Sequence, residues 1–472
     1  MTAGATLNDL YGLPLSTASS HAAAAYRDGQ QAVIAQAPAP DEPFRRAIEA
    51  DPEFALPHAA LALVQLRELL LPEARGNAAT AEQLAVRASR REQQHVAAVV
   101  DAVGGRGAQV IARVREHLRE FPRDALLLNY VTTSLLFAGQ QEQMVQVSAA
   151  AGPAYGNDDW FWLGIHAFAL QEVRRFAEAR HAALRSLDRF PLAAFTSHAL
   201  AHVHYELGEY AEGAGFMPGW LAQYGREGGL HLHLSWHLAL FHLARGEYAE
   251  VLRLYEADIR PAAQSGSYQL FDPVSLIWRM QAYCGAAPAG LWPELGAIAA
   301  QRVTPPGMIF ADLHHGMALA ATGQLAELEP LLGSFKARAD RGHAAAEVAL
   351  TLMQGLVAFA QQDYAAAAGL IEPIDDRIYL VGGSKAQREV FHDTLLEALL
   401  RAGRFDAAER RLRERLERRP APRDFYRIAQ VYSARGAPAQ ARAALDNTLA
   451  VWPAAESAGE LQAARRLAAE IA

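Results

Sequence analysis

A chain of 472 residues, 51% hydrophobic and 20% charged, can bury a large core, which excludes a disordered or solvating tail. Its 44 Lys and Arg against 52 Asp and Glu leave a formal charge of -8, without the clustered positive charge that duplex nucleic acid or an anionic membrane selects for. A single cysteine, Cys284, excludes an intramolecular disulfide framework and any zinc site built on several thiolates; a buried, inert thiol is its expected state.

Residues 1–40, which run into the Pro-rich APAPDEP (37–43), lack the basic and continuous apolar stretches of a secretory signal. No apolar run reaches the roughly 18 residues of a membrane span, so a cytoplasmic location is expected. From residue 41 onward, amphipathic stretches of about 10 to 15 residues recur between Gly or Pro punctuation, and strand signals are almost absent. The junctions share a pattern: ELGEYAEG at 206–213, ARGEYAEV at 244–251, ATGQLAEL at 321–328, AQQDYAAA at 360–367 and RAGRFDAA at 401–408. Each reads as a turn between two helices, with Gly ending the first and an aromatic or leucine packing back between them.

The turn positions are Gly105, Gly139, Arg174, Gly208, Gly246, Gly323, Gln362, Gly403 and Gly436, separated by 34, 35, 34, 38, 77, 39, 41 and 33 residues. The 77 spans two steps, with a degenerate turn near Gly285. Pro122, Pro191, Pro420 and Pro453 each follow their turn by 17 residues. A 34-residue period closed by Pro is the tetratricopeptide signature. The expected fold is therefore all-α, with about ten tetratricopeptide-like helical hairpins forming one right-handed superhelix, an α-solenoid. Residues 1–40 form an N-terminal segment, 41–403 the irregular repeats that carry the candidate site, and 404–472 capping helices of the same array.

Further along, FDPVSLIWRM (271–280) places Asp272 as N-cap with Pro273 at the first helical position. VGGSKAQREVF (381–391) leads through Gly-Gly into Ser384 with Gln387 three residues on, a capping box at a helix start. The run ERRLRERLERR (409–419) alternates Arg and Glu as a solvated, salt-bridged face does. Seven of the 17 histidines, His198, His202, His204, His231, His233, His237 and His242, fall within 45 residues.

The blocks SHALAHVHYELGEYAEG, HLHLSWHLALFHL, FDPVSLIWRM, FADLHHGMAL and GGSKAQREVFHDTLLEALL, with DPEFALPHAALAL near the start, resemble the tetratricopeptide repeat protein 38 family over most of the chain. The resemblance implies an all-helical repeat fold and no settled activity. Its histidine-rich blocks stand where generic repeats carry other residues, which makes them functional candidates.

With each turn Gly counted as position 15, the first helix of a hairpin faces the concave surface through positions 2, 5, 9, 12 and 13. His198, His202, Tyr205 and Glu206 then face the groove, as do His233 and Trp236, with His237 one position on. His204 and His242 fall at position 11, the packing side, and with His231 are expected to be structural. His198/His202 and His233/His237 are i, i+4 pairs, each with two imidazoles on one helical face. Such pairs suit a divalent transition metal, because neutral imidazole ligates zinc, nickel, copper or iron. They equally suit a hydrogen-bonding pocket walled by Tyr205, Trp236 and Trp278. No cofactor is required by the sequence, and a metal is admitted by it.

Three functions remain open. The first is a concave pocket binding a small anionic or aromatic molecule, with Arg279, and with Ser384, Lys385, Gln387 and Arg388 at a helix start, holding its anionic group. The second is a hydrolase or lyase using His202, His237, Asp312 and His314, with or without a metal. The third is a scaffold binding a peptide or protein in its groove. The expected partners are a small molecule or a peptide, not nucleic acid or membrane, with self-association open.

Overall fold

A computed structural model describes residues 6–264, 270–284, 290–303, 307–452 and 459–471. Among these, 26 α-helices and a few short 3-10 or π turns account for the regular structure, beside a single isolated bridge between Asn8 and Pro14. The turn expected near Gly285 and the closing Pro453 lie outside the described residues. Among the described residues, no helix is long and apolar enough to cross a membrane.

The chain parts into two compact units, one of residues 1–200 and 223–231, the other of 201–222 and 232–472. In the first, successive helices pack as hairpins: Ala55–Arg67 on Leu71–Ala85, Arg90–Val103 on Gly107–Glu120, Ala125–Phe137 on Gln141–Ala151 and Trp160–Glu172 on Phe176–Arg189. Buried Ala, Val and Leu side chains fill the interface of each pair. The N-terminal segment is tied across several of them. Asp9 pairs with Arg91 at 2.9 Å, and the buried Asp124 accepts from His95 Nδ1 at 2.9 Å and His117 Nε2 at 3.2 Å. Although burial alone would raise it, the neighbouring His95 and Arg91 hold the Asp124 carboxyl well below the usual range.

The chain is thus built of tetratricopeptide-like hairpins, and their turns show why. All nine turn positions named from the sequence have left-handed φ, between 64° and 77°. At Gly208, the Gly N–H donates to Tyr205 O at 3.2 Å and the Glu209 N–H to His204 O at 2.9 Å. Gly246 and Glu247 repeat the pattern on Leu243 and His242. This six-to-one closure satisfies the last carbonyls of the first helix and requires a left-handed residue, for which Gly has no Cβ penalty. Arg174 and Gln362 adopt the same φ without that advantage. Pro122, Pro191 and Pro420 stand just beyond the second helices they were expected to close.

Seven helices bear the residues singled out above: α1 (Ala194–Leu207), α2 (Tyr210–Tyr224), α3 (His231–Ala244), α4 (Phe271–Cys284), α5 (Ile309–Ala321), α6 (Lys385–Arg401) and α7 (Phe405–Arg418). Two readings change here. Cys284, expected to be buried, is exposed at the end of α4. The Arg/Glu run of α7 is not wholly solvated either, because Arg415 and, just past the helix, Arg419 turn inward. Arg415 pairs with Asp393 at 2.7 Å and Asp424 at 3.0 Å, and Arg419 with Glu389. Next to them Arg423 and Arg427 share Glu460 at 3.0 and 3.1 Å, so a buried ionic layer runs through the last helices of the second unit.

Candidate functional site

In the second unit, α1 and α3 bring three imidazoles together. His202 and His237 are fully buried and His233 is 7% exposed. The His237 ring contacts both others, edge to face, with centroids 4.5 Å from His202 and 4.8 Å from His233. One ring nitrogen of each lies within 4.8 Å of the others. Burial, and then the neighbouring His233, hold His202 well below the usual imidazole range, so it is neutral near pH 7. His198 stands one turn before His202 on α1, at the end of the first unit, where its ring stacks on Phe168 at 5.0 Å and meets Phe195.

The carboxylate that serves this cluster is Asp272. The sequence places it at the N-cap of α4, but the helix already includes Phe271, and the Asp272 side chain sits inside the first turn. There its Oδ2 accepts from His233 Nδ1 at 2.7 Å, and the Gln387 side chain lies beside it. A capping role needs only a local oxygen, whereas this contact joins residues 39 apart, which no local signal reveals. Burial pushes the Asp272 carboxyl up, and His233 and Gln387 oppose that shift.

Around the imidazoles the aromatic and arginine candidates are held by specific partners. Trp236 stacks on His233 at 5.3 Å and donates its indole N–H to Ser275 Oγ at 3.1 Å. Trp278 donates to Thr394 Oγ1 at 2.9 Å. Arg279, 1% exposed, lies 5.7 Å over the Trp236 ring, gives one N–H to Ala386 O at 2.7 Å and faces Asp393 at 3.4 Å. It therefore supports the start of α6 from within. Tyr205 is buried beneath the Arg419 guanidinium, 4.6 Å away.

The start of α6 is a complete capping box: Ser384 Oγ accepts from Gln387 N at 3.3 Å and Gln387 Oε1 from Ser384 N at 2.9 Å. Gln387, in this cap, also lies beside Asp272. One face of the same helix, from Lys385 to Leu396, opens onto a pocket of about 350 Å³ whose other walls come from α1, α7 and residues 375–379. Lys385, Arg388, Arg411, Arg415 and Arg418 line it, together with Glu206, Asp375, Asp376, Glu389 and Glu414. Asp375 is occupied by Arg411 and by His392 Nδ1 at 2.8 Å, and Glu389 by Arg419 and Arg415. Glu206 follows His202 by one turn on α1, so a single helix serves the imidazole cluster and the pocket.

Asp312 and His314 occupy another neighbourhood on α5. Asp312 accepts from Gly307 N at 3.0 and 3.2 Å, and burial pushes its carboxyl up to about 6. His314 donates its Nδ1–H to Phe310 O, 2.8 Å away, and packs among Phe271, Phe310 and Phe391; burial brings it down to about 3. Asp272 with His233 is a carboxylate–imidazole pair that the sequence does not signal. His204 and His242, placed on the packing side, bind Glu209 and Glu247 at 2.8 and 2.6 Å. Both pairs span the turn Gly at a separation of five, a recurrence visible in HYELGE and HLARGE.

No family model matches the chain. Among solved structures it is similar to a chain of the "Crystal structure of APC/C hetero-tetramer Cut9-Hcn1", at 14% identity over 96% of both chains with a TM-score of 0.34. It is also similar to a chain of the "Structure of Naa15/Naa10 bound to HypK-THB", at 13% identity over 95% of this chain and 66% of that one, with a TM-score of 0.22. At these values the fold assignment rests on the chain's own hairpins and turns.

Proposed function

We propose that the protein is a cytoplasmic helical-repeat binding protein whose second unit takes a small anionic molecule in the pocket beside α6. The observation that carries this reading is the pocket of about 350 Å³, large enough for a metabolite-sized ligand and lined by five cations. Lys385 and Arg388 stand at the start of α6, where the helix dipole also favours negative charge. The acidic residues that also line it, Glu206, Asp376 and Glu414 among them, suit a ligand that carries an ammonium or hydroxyl groups as well as its anion. Arg279 and the Ser384 cap keep this helix start in place. The likeness of the histidine-rich blocks to the tetratricopeptide repeat protein 38 family belongs to the same reading.

The test is a thermal-shift panel of carboxylates, amino acids and phosphate esters on the full chain. At least one class should raise the melting temperature, and Lys385→Gln and Arg418→Gln should remove that rise while leaving the unliganded melt intact. A panel without effect, or a rise unchanged in both variants, contradicts the reading. A second reading, a scaffold for a protein or peptide partner, is favoured by the hairpin repeats themselves, since stacked hairpins offer extended binding surfaces. Under it, the same pocket holds an acidic side chain or a C-terminal carboxylate of the partner.

A further inference from the structure

We propose that His202, His233 and His237 form a binding site for one divalent transition metal of the zinc class. The inference stands apart from the pocket, since neither Lys385 nor Arg388 takes part in it.

Three features of the cluster carry it. The first is convergence: three imidazoles from two helices offer nitrogens within 4.8 Å of one another, with His237 touching both other rings. A tetrahedral site with metal–nitrogen bonds of 2.0–2.1 Å sets its ligand atoms about 3.4 Å apart, so modest ring rotations close the set. The second is the donor chemistry. Imidazole nitrogen without thiolate or carboxylate in the inner set fits zinc, copper, nickel or iron, and does not fit calcium or magnesium, which take oxygen. The third is the carboxylate behind the cluster. Asp272 engages Nδ1 of His233, which leaves Nε2 as the donor and fixes the ring, as outer carboxylates do for metal-bound histidines.

Packing alone gives no reason for this composition. Neighbouring buried positions on α1 and α3 are Ala199, Val203, Leu234 and Leu238, and similar residues would fill the same space without burying ring nitrogens. Three protein ligands leave a fourth position on the metal.

The test uses the full chain without an affinity tag, stripped with chelator and dialysed into metal-free buffer. Titration with cobalt(II) should give the visible bands of a tetrahedral site, saturating at one equivalent per chain, and zinc(II) should displace them. Zinc addition should also raise the melting temperature. His202→Gln and His237→Gln should each weaken cobalt binding by ~100-fold or more. His204→Gln and His242→Gln, whose imidazoles are committed to Glu209 and Glu247, should bind as the unaltered chain does. Absence of uptake by the unaltered chain overturns the proposal whether or not the variants fold. Equal uptake by the His202→Gln/His237→Gln double variant overturns it too.

Discussion

Acid stability gives a sharp check on the environment of His314. The ring is 1% exposed, walled by Phe271, Phe310 and Phe391, and brought down from the ordinary 6.5 to about 3. Below pH 6.5 the unfolded chain binds a proton at this position and the folded chain does not. The stability it contributes is therefore complete above pH 6.5 and is lost as pH falls toward 3. The slope from this one group approaches ~1.4 kcal/mol per pH unit, and the whole loss is on the order of 5 kcal/mol. His314→Leu keeps an apolar side chain in the cage and removes the titration. Urea unfolding of the full chain and of this variant, followed at several pH values between 4 and 6, reads the two slopes. The variant should be flatter by ~1 kcal/mol per pH unit, whatever its stability at pH 7. Parallel slopes would mean that His314 is hydrated or charged in the fold, which would refute the buried aromatic cage.

Three further outcomes follow from the same structure. Asp312 has the opposite sign: its carboxyl is raised from 3.8 to about 6, so its favourable contribution is present at acid pH and is lost as pH rises through that window. Asp312→Asn should gain stability relative to the unaltered chain at pH 8, by up to ~3 kcal/mol, and lose the advantage at pH 4, in the same urea assay. Gln362→Gly should stabilise the chain by ~1 kcal/mol, because Gln362 holds a φ of 64° that costs a residue with Cβ and costs Gly little; an unchanged urea midpoint would contradict this. At Gly213 on α2 an added Cβ would lie 2.5 Å from the Phe241 ring, so Gly213→Ala should cost ~1–3 kcal/mol by overpacking, read from the melting temperature.

What the sequence revealed and what it hid divide along a physical line. Turn glycines, the Ser384–Gln387 box and the i, i+4 histidine pairs are local: their geometry is set within five residues, so spacing suffices to find them. Even Arg174 and Gln362 were found by phase, although neither is a residue that a left-handed turn prefers. The hidden contacts are long-range. Asp272 has a good local use as a cap, yet it serves His233 on another helix, because a buried imidazole N–H needs an acceptor. Arg415 and Arg419 sit in a run whose alternation with Glu suggests solvent, and only the acids of α6 and residue 424 show that these two face inward. The pocket wall likewise joins Glu206 to residues some 170 to 210 positions away, a proximity set by helix stacking rather than by any motif.

The central claim, an anion site beside α6, is tested most directly by titration calorimetry of the full chain with the carboxylate or phosphate ester giving the largest thermal shift, at low and high salt. One site per chain is expected, with affinity that falls with salt and a loss of at least ~10-fold in Lys385→Gln and in Arg388→Gln. Binding of equal strength in both variants would contradict it, as would the absence of measurable heat for every probe.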